Sequence, residues 1–75
     1  MIFSEHARRR MRERGISEQE VTEALGRVFA QTPAITWTRV NLWGSTFEGR
    51  TLRITTYRYH HEYVITVVAV RGAPR

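Results

Sequence analysis

Phe3, Ala7 and Met11 recur every fourth residue, the spacing of one face of an α-helix. Ser4 precedes this stripe as an N-cap, and Gly15 follows Arg14 as a left-handed stop, so the pattern predicts a helix ending at about Arg14. Ser17-Glu18-Gln19-Glu20 then has the spacing of a capping box, with Ser17 at N-cap and Glu20 at N3. Val21, Ala24, Leu25 and Val28 supply the buried face of a second helix, and Glu18, Glu20 and Glu23 favour its positive end. Gln31-Thr32-Pro33 is expected to close this helical half. Both helices are short and need a surface to pack on.

The second half is rich in Thr, Val, Ile, Tyr and Trp, the residues of a pleated sheet. Ile35 to Asn41 reads as one strand and Trp43 to Phe47 as another, with Asn41 and Gly44 marking an irregular junction. Glu48-Gly49-Arg50 is a tight hairpin turn. Thr51 to Tyr59 alternates: Leu52, Ile54 and Thr56 on one face, Arg53, Thr55 and Tyr57 on the other. Tyr59-His60-His61-Glu62 turns the chain into a last strand, Tyr63 to Val70, whose apolarity on both faces suggests a central position. Arg71 to Arg75 reads as a frayed tail. The predicted fold is α+β in the order α-α-β-β-β-β: two N-terminal helices on one face of a three- to four-stranded antiparallel sheet.

At 75 residues the chain is expected to form a single domain spanning 1–75, with no room for a second core. It contains no Cys, which excludes a disulfide framework and a thiolate zinc site, and no Lys or Asp. No apolar run approaches the roughly 20 residues that span a bilayer, and the N-terminus does not resemble a secretory signal, so a cytoplasmic, membrane-free protein is expected. Twelve Arg against seven Glu give a net charge of +5, unevenly spread. Residues 1–14 carry five Arg against Glu5 and Glu13, net +3; residues 15–23 carry only Glu18, Glu20 and Glu23, net −3; residues 24–75 carry seven Arg against Glu48 and Glu62, net +5. Arginine suits phosphate, because its planar fork makes paired hydrogen bonds and keeps its charge. A GC-rich coding sequence is the plainer source of the same bias.

Three groups of residues carry candidate chemistry. At about 100° per residue, Arg10 and Arg14 fall within the arc of Phe3, Ala7 and Met11, with His6 at its edge. These arginines either cover the core with their stems, pair with Glu20 or Glu23, or face a ligand. Arg8, Arg9 and Arg12 lie on the solvated side. On the third predicted strand, Arg53, Thr55 and Tyr57 project from the open sheet face, where an Arg can stabilise charge on phosphoryl oxygens. His60 and His61 share a turn; a histidine there is either a solvated spacer or, like His6, a proton-transfer group. No phosphate-cradling glycine loop, nucleophilic triad or paired carboxylates with metal spacing occurs, so neither metal nor cofactor is expected.

The run Ser4-Glu5-His6-Ala7-Arg8-Arg9-Arg10-Met11-Arg12-Glu13-Arg14-Gly15-Ile16 resembles the S-x-H-A-x-x-R-M-x-x-R-G-I opening of a small bacterial family, domain of unknown function 4258. Gly49-Arg50-Thr51-Leu52-Arg53-Ile54 and Val64-Ile65-Thr66-Val67 are similar to its later pieces. Such domains are similar in outline to the RelE and BrnT ribonuclease toxins. That resemblance implies a metal-independent endoribonuclease acting on mRNA, ribosome-bound or free, and paired with a cognate antitoxin. It points to His6, Arg10, Arg14 and Arg53. With the strand and turn candidates, the expected catalytic set is His6, Arg10, Arg53, Tyr57 and His60, with Arg8, Arg14 and Arg58 contacting RNA. Two other readings stand beside it: a non-catalytic RNA- or DNA-binding module using the same arginines, and an interaction domain, such as a homodimer joined through Trp37, Trp43 or strand edges.

Overall fold

Two serines start the two helices. In the computed structural model, which describes residues 1–71, the Ser4 hydroxyl accepts the Ala7 backbone N–H at 2.9 Å and opens α1 (Glu5–Arg14). Gly15 ends it in the left-handed region, at φ 64°. Ser17 and Glu20 form the reciprocal box that opens α2 (Glu18–Leu25): the Glu20 N–H donates to Ser17 Oγ at 3.1 Å, and the Ser17 N–H donates to Glu20 Oε1 at 3.0 Å. Residues 72–75 of the expected tail lie outside the described residues.

A short strand, β1 (Ile2–Phe3), precedes α1, and four more follow α2: β2 (Val28–Pro33), β3 (Arg39–Ser45), β4 (Thr51–Tyr57) and β5 (His60–Val70). They form one sheet in the order β1-β5-β4-β3-β2, in which β1 runs parallel to β5 and every other pair is antiparallel. The fold is α+β with both helices on one face, as expected, but the sheet has five strands and is mixed. β1 is two residues long, too short to carry a period, and is held where the Ser4 N–H donates to the Val64 carbonyl at 2.9 Å.

Other boundaries move for identifiable reasons. Val28 extends the helical stripe of Val21 and Leu25 on paper, yet α2 stops at Leu25 and Val28 begins β2. The segment expected to be a loop, Gln31-Thr32-Pro33, is part of that strand; Pro33 fits because β2 is at the sheet edge. Residues 35–38 form an exposed loop, and Asn41 and Gly44 lie within one continuous strand rather than at a junction. Gly44 is required there by packing: a Cβ would fall on the Ala24 carbonyl of α2. The last turn tightens to Arg58 and Tyr59, so His60 and His61 belong to β5. β4, paired along its length on both sides, is the central strand; β5 has a second neighbour only at Tyr63 and Val64.

The core lies between helices and sheet. Ala7 and Met11 of α1, Val21 and Ala24 of α2, and Leu52, Ile54, Val64 and Val67 of the sheet are all buried, with Phe3 and Ile16 closing the two ends. Among the described residues no helix covers the opposite face of the sheet.

Candidate functional site

Directly opposed residues of an antiparallel ladder share a face. The β3–β4 register therefore aligns Arg39 with Tyr57, Asn41 with Thr55 and Trp43 with Arg53 on the face away from the helices. β5 continues these rows with Thr66 beside Thr55 and Val68 beside Arg53. Cross-strand hydrogen bonds fix this floor: Thr55 Oγ1 donates to Asn41 Oδ1 at 2.7 Å, and the Trp43 indole N–H donates to Thr32 Oγ1 at 2.9 Å.

A cleft of about 400 Å³ opens over the floor, lined by His6, Ala34, Ile35, Arg39, Asn41, Arg53, Thr55, Ile65 and Thr66. His6 reaches it because Ser4 anchors the start of α1 to β5, its hydroxyl donating to the Ile65 carbonyl at 2.8 Å. His6 and Arg53, separated by 47 positions in the chain, thus share one cavity. Arg53 Nε is buried and has no hydrogen-bond partner among the described residues. An unsatisfied buried donor costs about 1–3 kcal/mol, so an acceptor arriving at this point regains that energy. An adjoining hollow of about 410 Å³ shares His6, Arg39 and Ile65 with the cleft and adds Tyr57 and Tyr63.

On the helical side three arginines have carboxylate partners, Arg8 with Glu18 at 3.6 Å, Arg10 with Glu13 at 3.2 Å and Arg50 with Glu20 at 3.3 Å, while Arg9, Arg12 and Arg14 make no salt bridge among the described residues. The Glu20 carboxyl is held below its ordinary value chiefly by the Ser17 N–H; burial opposes this, and Arg50 lowers it further. Among the described residues, Arg39 and Arg53 make no salt bridge, and no carboxylate lines either open-face cavity. A separate hollow beside α2 and the Thr46–Arg50 turn carries Glu20, Glu23 and Glu48 against Arg50 alone, and so has a net negative lining.

The expected site residues fare unequally. His6 and Arg53 meet in the cleft, and Tyr57 lies in the adjoining hollow. Arg10 does not join them; it pairs with Glu13, one turn along its own helix, and not with Glu20 or Glu23. Arg14 is exposed on the helical side, where its carbonyl accepts an Arg50 N–H at 3.1 Å. Arg8 stacks over the Phe3 ring at 5.4 Å besides facing Glu18. Arg58 ties the β4–β5 turn to the 35–38 loop, its Nε donating to the Trp37 carbonyl at 2.6 Å. His60 faces Glu62 at 3.3 Å; the Glu62 carboxyl is held low chiefly by its own backbone N–H and further by His60. Of the two tryptophans, Trp37 is exposed and Trp43 is half-buried beneath Arg53.

Residues 3–69 match the family described as Domain of unknown function (DUF4258). The chain belongs to the DUF4258 family. No curated protein and no solved structure matches it. The DUF4258 region takes in both helices and all of the open-face residues named above. Among the described residues no helix is long and apolar enough to cross a membrane, and no group of three or more His, Cys, Asp or Glu is placed to hold a metal ion.

Arg39, Asn41 and Tyr63 were not among the expected site residues. The signal for the first two is present in Arg39-Val40-Asn41-Leu42-Trp43, whose strict alternation puts Arg39, Asn41 and Trp43 on the face opposite Val40 and Leu42. Breaking the strand at Asn41 hides it.

Proposed function

We propose that this DUF4258 domain is a RelE-like, metal-independent endoribonuclease acting on mRNA, the toxin half of a toxin–antitoxin pair, with its site in the open-face cleft. The observation that carries this reading is the meeting of His6, Arg39 and Arg53 in one cavity without a carboxylate. In RNA the 2′-hydroxyl is held beside the phosphate it attacks, so nucleophile and target arrive together. Neutral His6 takes the 2′-hydroxyl proton; the 2′-oxygen bonds to phosphorus, and the 5′-oxygen leaves with a proton returned by the imidazolium. Arg53 and Arg39 hold the non-bridging oxygens as negative charge builds on them. The products are a 2′,3′-cyclic phosphate and a free 5′-hydroxyl. Arg39 takes the place expected for Arg10, which lies off the cleft. An antitoxin in this reading covers the same cationic cleft.

A second reading, a non-catalytic RNA-binding module, is favoured by one feature. His6 is exposed, and its ring makes no hydrogen bond to another described residue that would orient it for proton transfer. Incubating end-labelled RNA, free and ribosome-bound, with purified protein separates the two. Fragments ending in 2′,3′-cyclic or 3′-phosphate support the nuclease; salt-sensitive binding without fragments supports the module; neither leaves the interaction-domain reading.

A further inference from the structure

We propose that the hollow walled by Tyr57 and Tyr63 takes one unpaired base of the strand whose phosphate is held at Arg53, so that the domain selects single-stranded over duplex RNA. This rests on the RNA reading of the neighbouring cleft and assigns the hollow beside it.

The two rings come from adjacent strands and both project from the open face. Tyr57 closes the row begun by Arg39, and Tyr63 stands one position before buried Val64. Their centroids are 6.1 Å apart with the planes at 70°, so they form a corner rather than a stack. Each is 41% exposed, which leaves ring surface open to solvent. Ile2, paired with Tyr63 across β1–β5, adds an exposed apolar side. A flat aromatic ligand fills such a corner by stacking on one ring while its edge meets the other.

The surroundings say which flat ligand fits. His6 and Arg39 line the hollow and the cleft alike, so the two adjoin and one ligand can reach both. Aromatic walls joined to arginines that make no salt bridge among the described residues match a nucleotide, whose base and phosphate are linked through one sugar. A paired base cannot use the corner, because its faces are already covered within the duplex. Single-strand binders combine stacking platforms with a cationic groove, and base–aromatic stacking tolerates any base. The hollow thus supplies strand-type selectivity, and little sequence selectivity is expected. Tyr57 acts here through its ring, in place of the catalytic role expected for it.

The test uses fluorescence anisotropy with a short 2′-O-methyl RNA, which cannot be cleaved, as a single strand, as a duplex and with one abasic position. The intact protein is compared with Tyr57→Leu, Tyr63→Leu, Tyr57→Phe and Arg53→Ala, each checked for folding by circular dichroism. The expected result is single-strand binding about ten-fold tighter than duplex binding, lost to a similar degree in each Leu variant and kept in Tyr57→Phe. If the Leu variants bind all three probes like the intact protein while Arg53→Ala weakens them, the base site is overturned and the RNA reading stands. That is also the outcome if the hollow docks a protein side chain. Failure of the intact protein to bind any probe overturns both.

Discussion

The Arg53 guanidinium lies over the Trp43 indole, 5.9 Å from the ring centre, and the two residues are directly opposed across β3 and β4. The indole N–H is in turn held by Thr32 of β2, so three strands set the direction of one arginine. A cation over an aromatic face gains about 0.5–1 kcal/mol at an exposed site, and the buried, unpartnered Nε costs about 1–3 kcal/mol, which offsets that gain. Arg53→Ala is therefore expected to leave the melting temperature within a few degrees while RNA cleavage falls about 100- to 1,000-fold. Single-turnover rates and a thermal melt on the same preparation check both halves. A large loss of stability would mean that Arg53 is structural.

Gly44 is the point where α2 rests on the sheet. A methyl group there meets the Ala24 backbone, which cannot swing aside as a side chain can. Gly44→Ala is expected to cost about 1–3 kcal/mol or more, as overpacking does. Gly26→Ala is the control, since its added methyl lies 3.5 Å from the nearest backbone oxygen and its backbone is right-handed helical. Chemical denaturation of the two variants should separate them clearly, with Gly26→Ala at or slightly above the parent.

The cap of α2 also sets an acid limb. Ser17→Ala removes the acceptor for the Glu20 N–H and is expected to cost about 1 kcal/mol, or roughly 4–8 °C in melting temperature. Glu20 has a folded pKa below its ordinary 4.5, owing first to the Ser17 N–H and then to Arg50. A lowered carboxyl pKa contributes stability that is complete above the unfolded value and is lost as pH falls through the folded one. The stability difference between the parent and Glu20→Gln should therefore be constant above about pH 5 and shrink below 4.5. Melts across that range measure it; a difference that grows on acidification contradicts the assignment.

Local signals were readable where one short motif decides an element, and less so where distant strands decide it. Both N-caps, the Gly15 stop, the turn at Gly49 and the alternation of β4 each depend on a few neighbouring residues, and each stands as the sequence implies. β1 and β2 depend on partners. Ile2-Phe3 becomes a strand only because β5 lies beside it, and Val28-Phe29-Ala30 leaves the helix to pair with β3. Ile35 and Trp37 look like strand residues and are exposed loop, because strand β3 starts only at Arg39. The site divides in the same way. Arg53 follows from alternation, and His6 from the edge of the helical stripe. Arg10 lies within the same helical arc but finds Glu13 nearby, and Arg39 becomes visible only once β3 is drawn as one strand.

Binding to RNA should depend on salt through Arg39 of the open face and not through Arg10 of the helical one. Each phosphate neutralised on a single strand lowers the slope of log affinity against log salt by about 0.7. Arg39→Gln is expected to flatten the slope by about that amount, because Arg39 makes no salt bridge among the described residues. Arg10→Gln should leave it unchanged, since Arg10 faces Glu13 away from the cleft. A salt titration of intact protein and both variants decides the matter, and a flatter slope for Arg10→Gln than for Arg39→Gln would place the contact surface on the helices.

His6 carries the proton-transfer half of the proposed chemistry. It sits in the first turn of α1, brought to the sheet rim by the two hydrogen bonds that Ser4 makes to Val64 and Ile65. Because the nucleophile is part of the RNA, cleavage needs an acceptor for the 2′-hydroxyl proton and charge stabilisation at phosphorus. Chelator should therefore leave the rate unchanged. His6→Ala should lower the cleavage rate about 100- to 10,000-fold, the range for loss of a general acid–base group. Its affinity for a 2′-O-methyl RNA should change little, because Arg39 and Arg53 still hold the phosphate. Added imidazole should restore part of the rate, with a pH dependence that follows the free imidazole. His60→Ala serves as the comparison: His60 faces Glu62 and does not line the cleft, so its loss should leave the rate near that of the parent. Rates equal for His6→Ala and the parent would remove His6 from the chemistry, and a rate abolished by chelator would replace this route with a metal-assisted one.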